Sequence, residues 1–413
     1  MAGPAKVLGD RDVALVWCSN LISATGTGAM FVAVPFCTYL ATGSVLATAL
    51  VALAEYAPTV GVAQLAGVLV DRWDPRGVLV IADVALAACT LAYLLHDAWW
   101  WFAMVGFCRS CVAQFVLPAS QTLIAGIAPE GRLAEVNGLN AVGSNIARLA
   151  GPAVGGVLLS AGGLQNVALA DAASFLLAAW LIATVRSSRT ASLSAGGGLV
   201  HSWREGWSAV RDHPVLRPLV LVMALVGFGE GFISALMAPW MTDVAGGGST
   251  ELGLMLSLQA LGGMLGGLIV VRCAPRWDSM HMLGTGALAS GALLIIIFNY
   301  PLLLPVGPWP AIALTALAGL PFAVYGTAQA IAVQQHSAEG LRGRTASLTF
   351  GTQGIAQLTG IGLAGPIAGM LGPLAINAET IAYLVAGTVA LTAMRRQRRS
   401  TTTTPGQPQP EAA

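Results

Sequence analysis

The sequence predicts an all-α membrane protein whose twelve transmembrane helices form two pseudo-symmetric six-helix bundles. Three observations lead to this fold class: a very low content of charged residues, a regular series of apolar stretches, and similarity between the two halves of the chain. Of the 413 residues, 56% are hydrophobic and 9% are charged, whereas soluble proteins contain about 25% charged residues. No globular core needs so much apolar surface, so most of it must face lipid or other membrane helices.

The apolar stretches have the length that a membrane crossing requires, which is about 20 residues for a helix. In the first half they lie at roughly 13–40, 45–70, 78–95, 99–123, 135–162 and 166–185. In the second half they lie at roughly 216–241, 251–272, 281–299, 311–333, 346–371 and 375–394. Because twelve is an even number, both termini are expected on the same side of the membrane.

The distribution of Lys and Arg predicts which side that is. If both termini are cytoplasmic, 18 of the 20 Lys and Arg residues lie in inner segments, and the other two, Arg109 and Arg148, lie within spans. Such a bias is what the positive-inside rule predicts. We therefore expect a monomeric multi-pass protein of the plasma (inner) membrane, surrounded by lipid, with both termini in the cytoplasm.

Charge and apolar pattern also predict the domain organisation. The longest polar stretch between spans contains Val200, Trp203, Trp207 and Val210 at helical spacing, which predicts a short helix in the inner interface. The tail after the last span has no apolar period and is expected to be disordered. The predicted units are an N-terminal bundle (1–185), a cytoplasmic linker with the interfacial helix (186–215), a C-terminal bundle (216–394) and the tail (395–413).

The two predicted bundles repeat each other in sequence. Residues 67–77 align with residues 267–277 at an offset of 200, with five of eleven positions identical. Residues 128–151 align with residues 337–360 at an offset of 209, with seven identical positions. A repeat on either side of a central loop is typical of transporters whose substrate binds between the halves, near the middle of the membrane.

Several function classes are disfavoured by the same sequence. A net charge of +1 argues against a nucleic-acid partner bound through a basic surface. The chain contains no Gly-x4-Gly-Lys-[Ser/Thr] loop, so we expect no nucleotide as an energy source. No Ser/His/Asp arrangement and no cluster of metal-ligating residues is evident, so we expect neither an enzyme nor a bound metal or cofactor.

The loop after the second span resembles the signature loop of the major facilitator superfamily. The matching residues are Gly67, Asp71, Arg72 and Arg76, while Asp74 replaces the second glycine of the signature. The resemblance extends over the chain to about residue 394 and implies that family's fold. It also implies that this loop latches the two halves in the outward-facing state. From the residues alone, the loop could equally be a plain positive-inside anchor.

The fifth span resembles a glycine pattern of the family's proton-driven exporters. Five of its six positions match and the sixth is Ala147; the matching residues are Gly138, Gly151, Pro152, Gly155 and Gly156. Glycines on one helix face permit close contact with another helix, so generic packing is the alternative interpretation. As a whole, the chain is most similar to the drug:proton antiporters that include macrolide-efflux and siderophore-export proteins.

Four ionisable residues lie deep within predicted spans and are candidates for proton coupling: Glu55, Glu230, Arg109 and Arg148. A charge in the membrane costs roughly 2.5–3.5 kcal/mol even on the insertion scale, so each suggests a function. A coupling carboxylate must exchange protons near neutral pH, and burial together with a movable Arg can tune that exchange. Arg109 also matches an arginine that the family associates with proton coupling.

Three other acidic residues, Asp83, Asp171 and Glu379, lie nearer the ends of their predicted spans. We expect them to be structural and to reach headgroups or loops. The substrate cavity is expected to contain aromatic groups, although aromatic residues in spans more often serve packing. The candidates are Phe31, Phe36, Phe228, Phe232 and Trp240.

Together these features predict a proton-coupled secondary transporter that exports a bulky, partly hydrophobic small molecule, such as a drug, antibiotic or natural product, by alternating access. Two alternatives share the fold and stay open. One is a proton-coupled uptake symporter or a facilitator for a small metabolite, and the other is a siderophore exporter. An intramembrane enzyme or a receptor would need polar clusters or large outer domains that the sequence lacks.

Overall fold

The computed structural model describes residues 8–70, 72–186, 207–208, 210–211, 213–273, 276–337 and 342–402. Within these ranges the chain is helical and has no β-strand. The helices of the first half are α1 (Arg11–Thr42), α2 (Val45–Val70), α3 (Pro75–Ala92), α4 (Trp99–Ala113), α5 (Val116–Ile127) and α6 (Leu133–Ala183). Those of the second half are α7 (Leu216–Asp243), α8 (Ser249–Cys273), α9 (Ser279–Leu303), α10 (Trp309–His336), α11 (Arg342–Leu371) and α12 (Asn377–Thr402). We call α1–α6 the N half and α7–α12 the C half.

Eleven helical segments of the described chain are long and apolar enough to cross a membrane, and α4 with α5 counts as one of them. The longest, α6, has 51 residues. A straight helix of that length would extend about 77 Å, more than twice the thickness of the hydrocarbon core. Its backbone leaves helical geometry at Gly162 and Gly163, and Gly163 has a φ of 67°, which glycine adopts at little cost.

The two arms of α6 run antiparallel, as their contacts with α1 demonstrate. The indole N–H of Trp17 donates to the carbonyl of Leu139 at 2.9 Å, and the hydroxyl of Ser19 donates to the carbonyl of Ala178 at 3.3 Å. Residues far apart along α6 therefore touch the same turn of α1. Helix α6 thus forms two crossings, and the predicted all-α membrane fold with twelve crossings is confirmed.

The predicted repeat reappears as equivalent helix crossings in the two halves. In the N half, a Cβ on Gly151 of α6 would lie 2.9 Å from the Cα of Gly28 in α1. In the C half, a Cβ on Gly360 of α11 would lie 3.2 Å from the Cα of Gly231 in α7. Gly151 and Gly360 are related by the offset of 209 found in the sequence. At both crossings the backbones touch because neither residue has a side chain.

The other predicted register, an offset of 200, is wrong. Helices α2 and α8 begin at residues 45 and 249, and α3 and α9 begin at residues 75 and 279, so the offset at this point is 204. The starts of α3 and α9 are set by aspartate caps. Asp74 accepts from the backbone N–H of Gly77, and Asp278 accepts from those of Met280 and His281.

The N half and the C half meet at the ends that the sequence predicts to be outer; "outer" and "inner" below denote these predicted sides. The hydroxyl of Tyr39 in α1 donates to the carboxylate of Asp243 in α7. The hydroxyl of Ser249 at the start of α8 donates to the carbonyl of Gly156 in α6 at 3.1 Å. These contacts draw the outer ends of four helices together.

Helix α7 begins behind a histidine cap. Nδ1 of His213 accepts hydrogen bonds from the backbone N–H groups of Val215 and Leu216, both at 3.2 Å, and the ring of His336 lies 5.9 Å away between centroids. Burial, and then the neighbouring His336, lower the pKa of His213 below its ordinary value of 6.5. The ring therefore stays neutral and can accept the two bonds.

Two predicted segments need comment. Most of the linker with the predicted interfacial helix lies outside the described residues, which exclude 187–206, 209 and 212. Helix α12 continues to Thr402, so residues 395–402 are helical where a disordered tail was expected from residue 395.

Candidate functional site

Glu55 lies in the middle of α2, half-buried against α4 and the 3₁₀ turn that follows α3. The hydroxyl of Tyr93 donates to its Oε1 at 3.2 Å. Gly106 of α4 leaves room for the carboxyl group, because a Cβ there would lie 2.7 Å from Cγ of Glu55. The prediction of a buried acid at this position therefore has a structural counterpart, a carboxyl group held by one hydroxyl and packed against a glycine.

Arg109 of α4 forms an ion pair with Asp171 of α6, with 3.1 Å between Nη2 and Oδ2. The Asp171 side chain is 0% exposed, and the same oxygen accepts from the hydroxyl of Thr90 at 3.0 Å. The guanidinium also lies 5.7 Å from the centre of the Phe175 ring. The expectation that Asp171 reaches headgroups or loops is wrong, because this residue is the buried partner of the intramembrane arginine.

Arg109 also attracts the carboxylate of Glu55. The N half thus holds two carboxyl groups around one guanidinium, and the arginine makes its hydrogen bond to Asp171 rather than to Glu55. Since a carboxylate needs a partner when it is removed from water, Glu55 is the less compensated of the two acids.

Glu230 of α7 occupies the C half and is half-buried. The side-chain amide of Gln353 in α11 donates to its Oε2 at 3.2 Å, and the hydroxyl of Tyr383 in α12 donates to its Oε1 at 3.4 Å. The amide of Gln329 in α10 donates in turn to Gln353 at 2.6 Å. Neutral donors from two helices, α11 and α12, therefore bind this carboxyl group, and α10 supports one of them.

The two glutamates lie close to the junction of the halves. Tyr56, the residue after Glu55, brings its hydroxyl beside that of Ser234 in α7, and the charges of both Glu55 and Glu230 act on it. Ser234 lies one helical turn after Glu230 and donates to that residue's carbonyl at 2.8 Å. The structure therefore brings the two predicted acids into the neighbourhood of one tyrosine.

Arg148 does not join either glutamate. Its side chain is exposed, and it forms no ion pair within the described part of the chain. It lies one turn before Pro152 on α6, on the face that packs against α8, where a Cβ on Gly253 would lie 3.1 Å from the Pro152 carbonyl carbon. Arg148 is thus next to the contact between the halves and without a carboxylate partner.

The predicted antiporter glycines divide into three groups. Gly151 and Gly155 pack against the backbone of α1, at Gly28 and Ala29 respectively. Gly156 packs against the backbone at Ser249, at the start of α8 in the other half. At Gly138 an added Cβ would project into open space. The glycine pattern therefore allows α6 to touch α1 and α8 at once.

The predicted latch loop is described in part, because Asp71 lies outside the described residues. Arg72 is exposed, and the guanidinium of Arg76 donates to the carbonyl of Ala183 at the end of α6. Gly67 contacts nothing where a Cβ would project. Asp74, which replaces the family's glycine, has an extended backbone (φ −65°, ψ 116°) and caps α3, so this departure from the signature fixes where α3 begins.

The predicted cavity aromatics lie in different surroundings. Phe36, Phe232 and Trp240 are buried in the core, Phe228 is half-buried against Phe232, and Phe31 is 50% exposed. Trp240 lines a small cavity of about 160 Å³ at the outer ends of the helices, together with Tyr39 and Asp243. A cavity of this size is below the 300–1,000 Å³ typical of drug-sized sites.

Two further acids are more deeply buried than the sequence predicts. Asp83 is 4% exposed and Glu379 is 2% exposed, so neither reaches a headgroup as expected. The predicted boundaries caused the error for Asp83, because α3 begins at Pro75 rather than 78. Glu379 is deeper than its position in α12 suggests, because a 3₁₀ turn at Gly372–Ile376 precedes the helix. Within the described ranges no three His, Cys, Asp or Glu residues group as metal ligands.

Comparison with known proteins places the chain in a family. The profile of the Major Facilitator Superfamily matches residues 16–361. The multidrug efflux pump Tap of Mycobacterium tuberculosis is 28% identical over 378 residues, which cover 86% of each chain. Macrolide efflux protein A of Streptococcus pyogenes is 25% identical over 373 residues, which cover 86% of this chain and 89% of that protein.

Solved structures agree in fold. A bacterial homologue of the iron transporter ferroportin, in an inward-facing state, superimposes with a TM-score of 0.76 at 17% identity, covering 93% of this chain and 98% of the other. A bacterial homologue of the lysosomal transporter Spinster, also inward-facing, gives a TM-score of 0.71 at 16% identity, with 99% of each chain covered. The chain is a multi-pass membrane transporter and not an enzyme, and it belongs to the Major Facilitator Superfamily.

Proposed function

We propose that this transporter exports a bulky, partly hydrophobic small molecule across the plasma membrane in exchange for protons. The similarity to Tap and to macrolide efflux protein A, which extends over 86% of the chain, supports export of a drug-like compound. The observation that carries the proton exchange is the position of Glu55 and Glu230 near Tyr56, at the junction of the two halves.

Proton exchange at this junction follows from its chemistry. A carboxyl group at the junction faces the outer side of the membrane when the outer ends of the halves separate, and it can bind a proton there. It faces the inner side when the inner ends separate, and it can release the proton there. Glu55 shares Arg109 with Asp171, and Glu230 has only neutral donors. Substrate enters from the inner side as the proton leaves to the cytosol, and the proton returns from the outer side.

Alternating access is supported by the contacts between the halves. Two hydrogen bonds close the outer ends, one between Tyr39 and Asp243 and one between Ser249 and Gly156. This arrangement is expected of an inward-facing state. The bundles 1–185 and 216–394 would move as the two bodies, with 186–215 as cytoplasmic linker and both termini in the cytoplasm. In the outward-facing state, Asp71, Arg72 and Arg76 would latch the inner ends, and the transporter would work as a monomer.

The test is transport into inside-out vesicles with an imposed pH gradient, acidic inside, using a macrolide antibiotic and a hydrophobic fluorescent dye as probes. Export coupled to protons predicts accumulation of at least one probe, which stops when a protonophore collapses the gradient. Glu55→Gln and Glu230→Gln should abolish gradient-driven accumulation, since an amide cannot exchange a proton. Glu130→Gln, at an exposed turn, is the matched control and should transport normally.

Two outcomes would contradict the proposal. Accumulation that persists in both glutamine variants would remove Glu55 and Glu230 from the coupling step. A requirement for the opposite gradient, with proton and solute moving in the same direction, would indicate the symporter alternative instead.

A further inference from the structure

Glu379 of α12 has the least compensated side chain in the described part of the C half. It is 2% exposed, and its Oε2 has no hydrogen-bond partner. The hydroxyl of Tyr325, 3% exposed, also lacks a partner, and its ring packs on that of Tyr383 with 5.6 Å between centroids. Two buried polar groups without partners thus lie next to Tyr383, which donates to Glu230.

The N half has an acid at the equivalent place. Gly163 and Gly372 both have positive φ, at 67° and 59°, and each opens the last crossing of its half. Asp171 follows the first by eight residues and Glu379 follows the second by seven. Each acid also packs against a glycine of the first helix of its half. A Cβ on Gly26 would lie 3.3 Å from the Cα of Asp171, and one on Gly229 would lie 2.9 Å from that of Glu379.

The cation that neutralises Asp171 has no counterpart in the C half. Helices α4 and α10 begin at Trp99 and Trp309, and this offset of 210 places Gly319 where the N half has Arg109. Gly319 packs tightly against α8, where a Cβ would lie 2.6 Å from the backbone nitrogen of Gly263. No Lys or Arg occurs at 218–271, 277–341 or 345–394, so the interior of this half has no cation of its own.

The titratable groups around Glu379 are acids and phenols. Glu230 follows Gly229, whose backbone packs against that of Glu379, and Tyr383 lies one turn along the same helix. Helix α9, which also packs on α12, contains His281 and Tyr300 near its two ends but no Asp, Glu, Lys or Arg. A buried carboxylate without a counter-charge costs several kcal/mol, and two neighbouring carboxylates cannot both stay ionised. At least one of the pair must therefore hold a proton.

We propose that Glu379 and Glu230 form a single two-carboxyl protonation site, in which Glu379 stores a proton and exchanges it with Glu230 through Tyr383. The proposal rests on the proton coupling proposed above and adds a residue to it. In the N half, the guanidinium of Arg109 neutralises the carboxylate of Asp171. In the C half, a proton bound to Glu379 neutralises that carboxyl group instead.

The proposed transfer moves one proton from Glu379 to Glu230 by way of the Tyr383 hydroxyl. The hydroxyl of Tyr383 gives its proton to the carboxylate of Glu230, to which it is hydrogen-bonded, and takes one from the carboxyl group of Glu379, which becomes the carboxylate. After Glu230 releases that proton to solvent, it must bind a new proton, and reversal of the relay then returns one proton to Glu379. Residues four apart on a helix face the same side, so Tyr383 and Glu379 need side-chain rotation alone to meet.

Infrared difference spectroscopy of the purified full-length protein tests this without transport. At neutral pH, the wild-type minus Glu379→Gln spectrum should contain the carbonyl band of one protonated carboxyl group, and the wild-type minus Glu130→Gln spectrum should contain an ionised carboxylate band instead. A Glu379→Gln difference spectrum with only ionised carboxylate bands would overturn the proposal. Glutamine matches a protonated glutamate in size, so this variant should fold.

Tyr383→Phe gives a second test that keeps both carboxyl groups. In D₂O the carbonyl band of the protonated carboxyl group should shift as its proton exchanges for deuterium. The Tyr383→Phe variant should slow this exchange by about 100-fold, which is the usual effect of losing a proton-transfer group. An unchanged exchange rate would remove Tyr383 from the relay. Gradient-driven transport by the wild-type protein is measured separately, so a failure of proton coupling is distinguishable from a failure of this site.

Discussion

Replacing Arg109 by Met should destabilise the N half strongly. The substitution leaves Asp171, whose side chain is 0% exposed, with Thr90 as its remaining donor. Removing one partner of a buried ion pair costs about 3–5 kcal/mol. In a domain of this size, 1 kcal/mol changes the unfolding midpoint by about 2–4 °C, so the midpoint should fall by roughly 6–20 °C.

The assay is thermal unfolding of purified protein in detergent, followed by tryptophan fluorescence at one fixed heating rate, because membrane proteins commonly unfold irreversibly. The loss should be greater at alkaline than at acidic pH, since an unpaired buried carboxyl group avoids most of the penalty by binding a proton.

Two variants make the result interpretable. Arg148→Met removes an arginine from the same half, but one that is exposed and without an ion pair in the described chain, so its midpoint should change by about 2 °C or less. The double variant Arg109→Met with Asp171→Asn should recover most of the loss, because no uncompensated charge remains. If Arg109→Met lowers the midpoint no more than Arg148→Met does, the ion pair does not stabilise the bundle.

Three further predictions follow from particular contacts. Below about pH 6.5 the unfolding midpoint of the wild-type protein should fall, because His213 binds a proton in the unfolded chain but not in the folded protein, where its ring accepts the two capping hydrogen bonds. His213→Asn should keep the cap and lose this pH dependence. Equal slopes of midpoint against pH in the two proteins would contradict the assignment. Gly156→Val should impair transport by forcing α6 and α8 apart, whereas Gly138→Val, in open space, should not; similar defects would refute the distinction. Tyr39→Phe removes a bond to Asp243 worth about 1.5–3 kcal/mol, so spin-label distances across the outer ends should lengthen; unchanged distances would argue against an outer gate.

The apolar pattern was enough to predict the spans, and the similarity between the two halves of the sequence predicted the repeat of the fold. A chain with 9% charged residues has few alternatives to a helical bundle in lipid, and the offset of 209 depends on glycines such as Gly151 and Gly360, whose spacing the helix crossings require. The offset of 200 was misleading because it aligned basic loop residues, which any inner loop contains. The helix starts at Asp74 and Asp278 were better guides, since a cap fixes where a helix begins.

The partners within the site could not be predicted in the same way. Hydropathy gives the depth of a residue such as Arg109 but not the direction of its side chain around the helix, nor which helix lies beside it. The pairing with Asp171 depends on both. The burial of Glu379 depends on a 3₁₀ turn that periodicity does not reveal. An alignment of Asp171 with Glu379 through the repeat would have been the one signal in the sequence for that acid.

The glycine crossings of α1 with α6 and of α7 with α11 have a mechanical consequence. Where two backbones touch without intervening side chains, neither helix can slide or roll without steric overlap, because no rotamer change can absorb the movement. Each bundle should therefore move as one rigid body, held together at the Gly28–Gly151 contact in the N half and at the Gly231–Gly360 contact in the C half. Movement must then occur between the two bundles, and it has to separate the backbones packed at Gly156 and Ser249 as well as break the hydroxyl contacts of Tyr39 and Ser249.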